Sequence, residues 1–436
     1  MRPAEPRLRE RLYALALRGA RPLLAAAVPR GSKLARGIHG RAGALERLEA
    51  WAARERDPAR PLVWVHAPSV GESLMAQAIV AALRERAPRL QVAFTHFSPS
   101  AERMAARVGG DVHDYLPWDV PADIERALRA LSPAALAWVR TEAWPMLSAG
   151  AAARGARQAL VNAVLPAGSS RLRAPSRLML GPTYRRLDAV GAVSADDARR
   201  FSRLGVPLER VRVTGDARFD QVWRRVQALD RDAPLLRRLR DPVALTLVAG
   251  STWGPDEERL VPAFAAARRG ARWRLIVAPH EPDEAHLAPL EARLDAAGLE
   301  HARLARVEAT SGEPPAVVVI DRVGVLADLY GVADVAYVGG GFHRAGLHSV
   351  VEPAALGVPV LFGPRHRNAR EAEELERAGG GLAVRDAEAL EEALRLYAGD
   401  PAIRRARGEA AAGYVRSRLG GAAANAELLL ELLSAG

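Results

Sequence analysis

The feature that most constrains this chain is an alternation that starts at Pro61 and runs almost to the end. PLVWVHAP (61–68) is a short apolar run, SVGESLMAQAIVAALRERAP (69–88) has helical character, and LQVAFTHF (90–97) is apolar again. Short apolar runs separated by helices of this length predict parallel β-α-β units in a doubly wound sheet. The series continues through DVHDYLPWD (111–119), a helix from about Ala122 to Leu131, AALAWVR (134–140), QALVNAV (158–164), AVGAVS (189–194) and VRVTGD (211–216). A second series holds VALTLVAGS (243–251), RWRLIVAPH (272–280), AVVVID (316–321), DVAYVGGG (334–341), VPVLFGP (358–364) and GGLAVRD (380–386). The expected divisions are a basic amphipathic segment over 1–45, a first α/β domain over 46–222, an arginine-rich connector over 223–241 and a second α/β domain over 242–436. The terminal helices of the second are expected to pack back toward the first. Two such Rossmann-like domains predict a cleft between them.

Composition removes several functions. The 436 residues are 49% hydrophobic, enough for two cores, and the absence of cysteine excludes disulfides, thiolate metal sites and cysteine nucleophiles. The net charge of +11 invites a nucleic-acid or membrane reading, but the basic residues are scattered arginines, Lys33 being the one lysine. No apolar stretch is long enough to span a bilayer. Between Arg11 and Arg36, short apolar blocks alternate with arginines and carry no acid. That segment fits an anionic membrane surface, and equally a first helix packed on the domain.

The candidate chemistry lies at the carboxyl ends of the apolar runs, where open α/β sheets bind ligands. HAPSVGES (66–73) lacks the residues of a P-loop but sets Glu72 in the first turn of a helix, where it can accept a proton or merely complement the helix dipole. Glu142, in VRTEAWPM (139–146), follows another strand in the same way. In the second domain Gly250, Ser251 and Thr252 offer backbone and hydroxyl contacts for a phosphate, and His280 ends the next strand. The run Gly339–Pro364 carries three consecutive glycines, which predict a bare backbone open to a ligand, and then Glu352 on a helix. A nucleotide phosphate with its ribose on Glu352 is one reading; an ordinary β-α-β unit with a solvated Glu352 is the other. No histidine spacing matches a metal site, and none is expected.

In order along the chain, HAPSVGE (66–72), FSPS (97–100), TEAWP (141–145), GDARFD (215–220), VAGSTWGPDEE (248–258), APHEPDE (278–284) and EPAALGVPVLFGP (352–364) resemble the 3-deoxy-D-manno-octulosonic acid (Kdo) transferases of lipopolysaccharide synthesis. These are glycosyltransferases of the GT-B architecture, two doubly wound domains facing a central cleft. The resemblance implies transfer of Kdo from CMP-Kdo to the 6′-hydroxyl of a lipid A precursor, with inversion. It places the partners at the cytoplasmic face of the inner membrane and implies neither cofactor nor nucleic acid. By position it makes Glu72 the catalytic base and assigns CMP contacts to Pro279, His280, Val323, Gly324, Val325, Ser349, Val350, Val351 and Glu352. Arg218 falls where the family often has lysine and is expected to face the donor's phosphate or carboxylate. Many members carry PRHPE and HGGHN where this chain reads PHEPD (279–283) and AGLHS (345–349). Another GT-B sugar-nucleotide transferase or an epimerase would share the second domain, and a non-catalytic binder of anionic lipid or nucleic acid would need only the charge.

Overall fold

The computed structural model describes residues 8–29 and 32–434, with the side chains of 21–27 left aside. Of the basic segment 1–45, residues 1–7, 30 and 31 therefore lie outside the described residues. The chain divides into two compact units, Met1–Gln221 with Arg418–Gly436, and Val222–Ser417.

The first unit is a sheet of seven parallel strands: β1 (Leu62–His66), β2 (Gln91–His96), β3 (Val112–Tyr115), β4 (Ala135–Val139), β5 (Arg157–Ala163), β6 (Ala189–Ala192) and β7 (Val211–Val213). They lie in the order β3-β2-β1-β4-β5-β6-β7, so the order reverses between β1 and β4. Alternate side chains point to opposite faces. Leu62 and Trp64 join a core with Leu45, Trp51, Ile124, Leu128 and Leu147. Val63 and Val65 join another with Met75, Ile79, Leu83, Leu428 and Leu429. Burial on both faces explains why these strands read as continuous apolar runs.

The helix Gly421–Ser434 thus belongs to the first unit although it follows the second in sequence. Asp220 caps its start, accepting from Gly420 N at 2.8 Å and Ala422 N at 3.0 Å. Gly421 permits the contact, because a Cβ there would meet the Asp216 carbonyl carbon at 2.7 Å.

The second unit repeats the design with β8 (Leu245–Thr252), β9 (Trp273–Pro279), β10 (His301–Arg303), β11 (Val317–Val319), β12 (Val335–Val338), β13 (Val360–Phe362) and β14 (Gly381–Ala383). Its parallel order is β10-β11-β9-β8-β12-β13-β14, with the reversal between β8 and β12. The stretch expected as a connector falls within the second unit. Its helix Pro234–Leu239 buries Leu236 and Leu239 against Val248 and Ile276.

The first helix, Leu8–Ala27, is tied down at its start. Glu10, 1% exposed, pairs with Arg186, 0% exposed, through two contacts of 2.5 and 2.7 Å. The same helix leaves Leu8, Leu12 and Leu15 exposed, one helical stripe. The start of this segment's helix therefore packs on the unit, as one of the two expectations had it, and the helix also leaves apolar side chains exposed.

Candidate active site

In each unit the strand order reverses beside residues singled out in the sequence, and a doubly wound sheet opens its ligand crevice at that point. In the first unit, the turn after β1 leads into the helix Val70–Arg86. Ser69 is its N-cap, its hydroxyl accepting from Glu72 N at 3.5 Å, while Ser73 Oγ donates to Ser69 O at 2.7 Å. Glu72 is thereby fixed in the first turn and half-buried. The turn after β4 begins at Arg140, held at φ 76°, and brings Glu142 to the same end of the sheet. Burial raises the Glu142 carboxyl above its ordinary range, the neighbouring Arg171 lowers it and the charge of Glu72 raises it. The Arg171 guanidinium lies 3.6 Å from Glu142. The two glutamates separated by 70 positions in the sequence therefore act electrostatically on each other.

Beneath them runs a polar relay. Trp144 Nε1 donates to His66 Nε2 at 3.2 Å, and His66 Nδ1 meets Thr95 Oγ1 at 3.0 Å. Trp64 Nε1 also donates to Thr95 Oγ1, at 2.9 Å. An imidazole nitrogen that accepts a hydrogen bond carries no proton, so His66 is neutral here. Burial pushes it down to about 3, in agreement. The result fixes Trp144, which stacks on Phe97 at 5.1 Å between ring centroids.

In the second unit the matching position holds a stack that sequence reasoning missed. Trp253 lies between His343 (4.5 Å, 14° between planes) and His280 (4.8 Å), and His280 stacks on His348 at 4.3 Å. Trp253 Nε1 donates to His348 Nε2 at 3.2 Å. Burial, then the charges of His280 and His343, push His348 down to about 4. A buried carboxylate organises this end: Asp256 accepts from Trp253 N (3.0 Å), Gly340 N (2.8 Å) and Tyr337 Oη (2.9 Å).

The glycine run is not bare, as its sequence led us to expect. A Cβ on Gly339 would meet Ser251 O at 2.3 Å, and one on Gly341 would meet Gly363 N at 2.5 Å. These glycines let the loops after β8, β12 and β13 touch backbone to backbone. Gly250 likewise faces the chain itself, since a Cβ would lie 2.2 Å from Tyr330 Oη. The Thr252 hydroxyl donates to Glu257 at 2.9 Å, which leaves Ser251, at φ 54°, as the half-exposed member of that trio. Glu352 sits in the five-residue turn Val351–Ala355 rather than a long helix, so little dipole develops there. Ser349 Oγ donates to Glu352, and Val350 and Val351 are buried.

A family model of the Kdo transferases, described as 3-deoxy-D-manno-octulosonic-acid transferase (kdotransferase), matches residues 41–221. A 3-deoxy-D-manno-octulosonic acid transferase of Bordetella pertussis is 34% identical over 425 residues, covering 94% of this chain and 96% of that protein. The chain belongs to the Kdo transferase family. The transferase of Haemophilus influenzae is 28% identical over 347 residues, 76% of this chain and 78% of its own. Among solved structures, the UDP-GlcNAc 2-epimerase of Neisseria meningitidis aligns with a TM-score of 0.60 at 12% identity, covering 86% of this chain and 100% of that one. At that identity it speaks for the fold, the pair of doubly wound domains of the GT-B class.

As a Kdo transferase family member, the chain is a glycosyltransferase with a two-domain α/β fold. Of the residues assigned by resemblance, Pro279 ends β9 and His280 is exposed beside Trp253. Val323 is 77% exposed and Gly324, at φ 94°, faces open space. Val325 is the N-cap of the helix Leu326–Leu329. Arg218 pairs within its own turn, Nη2 donating to Asp216 Oδ2 at 3.0 Å, so its charge is already met there. Among the described residues one group, Glu281, Asp283 and His286, brings three possible metal-ligand atoms within 4.8 Å. Glu281 and Asp283 are exposed and His286 is half-buried, and Asp283 is already the N-cap of the helix Glu284–Ala296, bonded to His286 Nδ1 at 2.7 Å.

Proposed function

We propose that this protein transfers Kdo from CMP-Kdo to the 6′-hydroxyl of a lipid A precursor, with inversion, at the cytoplasmic face of the inner membrane. The observation that carries the reading is Glu72, held by its Ser69 cap at the reversal point of the first sheet with Glu142 beside it. Glu72 takes the proton of the acceptor hydroxyl as its oxygen forms a bond to the anomeric carbon. The bond from that carbon to the CMP phosphate oxygen breaks, and CMP leaves with the electron pair. Glu142, under the field of Glu72 and Arg171, keeps a second acidic group beside the hydroxyl. In the second unit Ser251, His280, Gly324, Ser349 and Glu352 are the donor contacts we assign, with Trp253 and Asp256 holding their loops in place. The scheme calls on no metal.

The described residues contain no helix long and apolar enough to cross a membrane. Peripheral attachment is supported by the Leu8, Leu12 and Leu15 stripe together with exposed Leu178 and Met179. Arg9 Nη1 donates to Leu178 O at 3.0 Å and joins the two patches.

The test is incubation with a tetraacylated lipid A precursor and CMP-Kdo generated in place. We expect transfer by the wild type and a loss of about 10²-fold or more in Glu72→Gln, with CMP binding retained. Undiminished transfer by Glu72→Gln would remove the base; none by the wild type would remove the reaction.

A further inference from the structure

The first unit contains a cavity of about 470 Å³ that the mechanism does not use. Leu17, Leu34, Ile38, Phe97, Trp118 and Trp144 give it an apolar wall. Its volume is that of a small-ligand site. Three charged residues line it, Lys33, Arg41 and Asp119, and Arg41 is the buried cation among them. Arg41 is 7% exposed and its guanidinium lies over the rings of Phe97 (4.2 Å) and Trp118 (5.0 Å). Arg41 Nε donates to Leu116 O at 2.9 Å and Nη2 reaches Phe97 O at 3.5 Å. Among the described residues it has no carboxylate partner. Asp119, the acid in the same wall, is occupied by Met146 N (3.0 Å) and Leu147 N (2.8 Å). A buried cation without a counter-ion is costly, and burial pulls Arg41 down to about 10, still charged at neutral pH.

These facts select the ligand. A wholly apolar guest would leave Arg41 unmatched, whereas a wholly polar one would leave the aromatic walls against polar groups. An anionic amphiphile satisfies both, its chain on the walls and its acidic group at Arg41, with exposed Lys33 at the same cavity. The location gives it a use. Trp144 lies two residues after Glu142, and Phe97 follows β2 directly, so the cavity adjoins the strand ends that carry the two glutamates.

We propose that this cavity holds one acyl chain of the anionic acceptor lipid, with Arg41 taking a negative group of its head. The proposal rests on the lipid-acceptor reading above for the identity of the guest, but its chemistry is testable apart from transfer.

The probe is dodecyl phosphate below its micelle concentration, added to the full chain and followed by calorimetry and tryptophan emission. It should bind at one site, about tenfold or more tighter than dodecanol or inorganic phosphate. Leu34→Trp and Ile38→Trp, which fill the cavity from an exposed and a half-buried position, should each weaken it about tenfold with unchanged melting temperature. Arg41→Gln should bind dodecyl phosphate and dodecanol alike. Equal binding by the wild type and both tryptophan variants, or no preference of the wild type for dodecyl phosphate over dodecanol, overturns the site. In the transfer assay Leu34→Trp should raise the KM for the acylated acceptor and leave that for CMP-Kdo unchanged; an unmoved acceptor KM overturns the acyl-chain assignment. A wild type that binds dodecyl phosphate yet transfers no Kdo would sink the reaction while the amphiphile site stands.

Discussion

At the scale of single residues, the two units share a device: a tryptophan N–H held by the unprotonated Nε2 of a histidine, Trp144 on buried His66 and Trp253 on half-buried His348. The sign of its pH dependence follows. His66 is pushed down from 6.5 to about 3 and His96 to about 4, chiefly by burial, so the unfolded chain binds protons that the native one refuses. Their contribution is full above pH 6.5 and is lost as pH falls toward 4. We expect the melting temperature of the first unit to drop over that range, each histidine contributing up to about 1.4 kcal/mol per pH unit, and His66→Gln to flatten the slope. A melting curve unchanged between pH 7 and 4.5 would contradict this. Glu72 was legible in the sequence because its place depends on neighbours, a strand before it and a serine cap three residues back. Asp256 was not, because its partners Tyr337 and Gly340 lie 81 and 84 positions away.

Among elements, the strands announced themselves by apolar runs wherever both faces are buried. β10 escaped notice, since His301–Arg303 is a three-residue edge strand of polar character, half-buried throughout. The glycine run was read as open backbone because a sequence shows freedom without showing what fills it. Gly339→Ala should accordingly harm the second unit's stability more than an ordinary surface change. Its Cβ would lie 2.3 Å from a backbone oxygen that cannot swing aside, so we expect a loss of about 1–3 kcal/mol or more, read by denaturant unfolding. The helix Leu8–Ala27 makes the converse case. Glu10→Ala leaves Arg186 buried without its carboxylate and should cost about 3–5 kcal/mol. An effect below 1 kcal/mol would mean that the pair contributes little.

For the whole molecule, the order of motifs along the chain was enough for class and family, whereas charge alone pointed nowhere. The +11 excess gains meaning beside an exposed apolar stripe, and flotation with anionic vesicles should fall as salt rises and fall further in Leu12→Glu. Chelation by EDTA should leave transfer unchanged; a loss restored by a divalent ion would direct attention to Glu281, Asp283 and His286. The last helix carries a different kind of consequence. One face of the first sheet is covered by Leu428 and Leu429, which the ribosome adds only after the whole second unit. The nascent first unit therefore waits with apolar surface open while nearly two hundred residues are translated, and a stop codon after Ser417 should yield an aggregating product although every residue around Glu72 has been made.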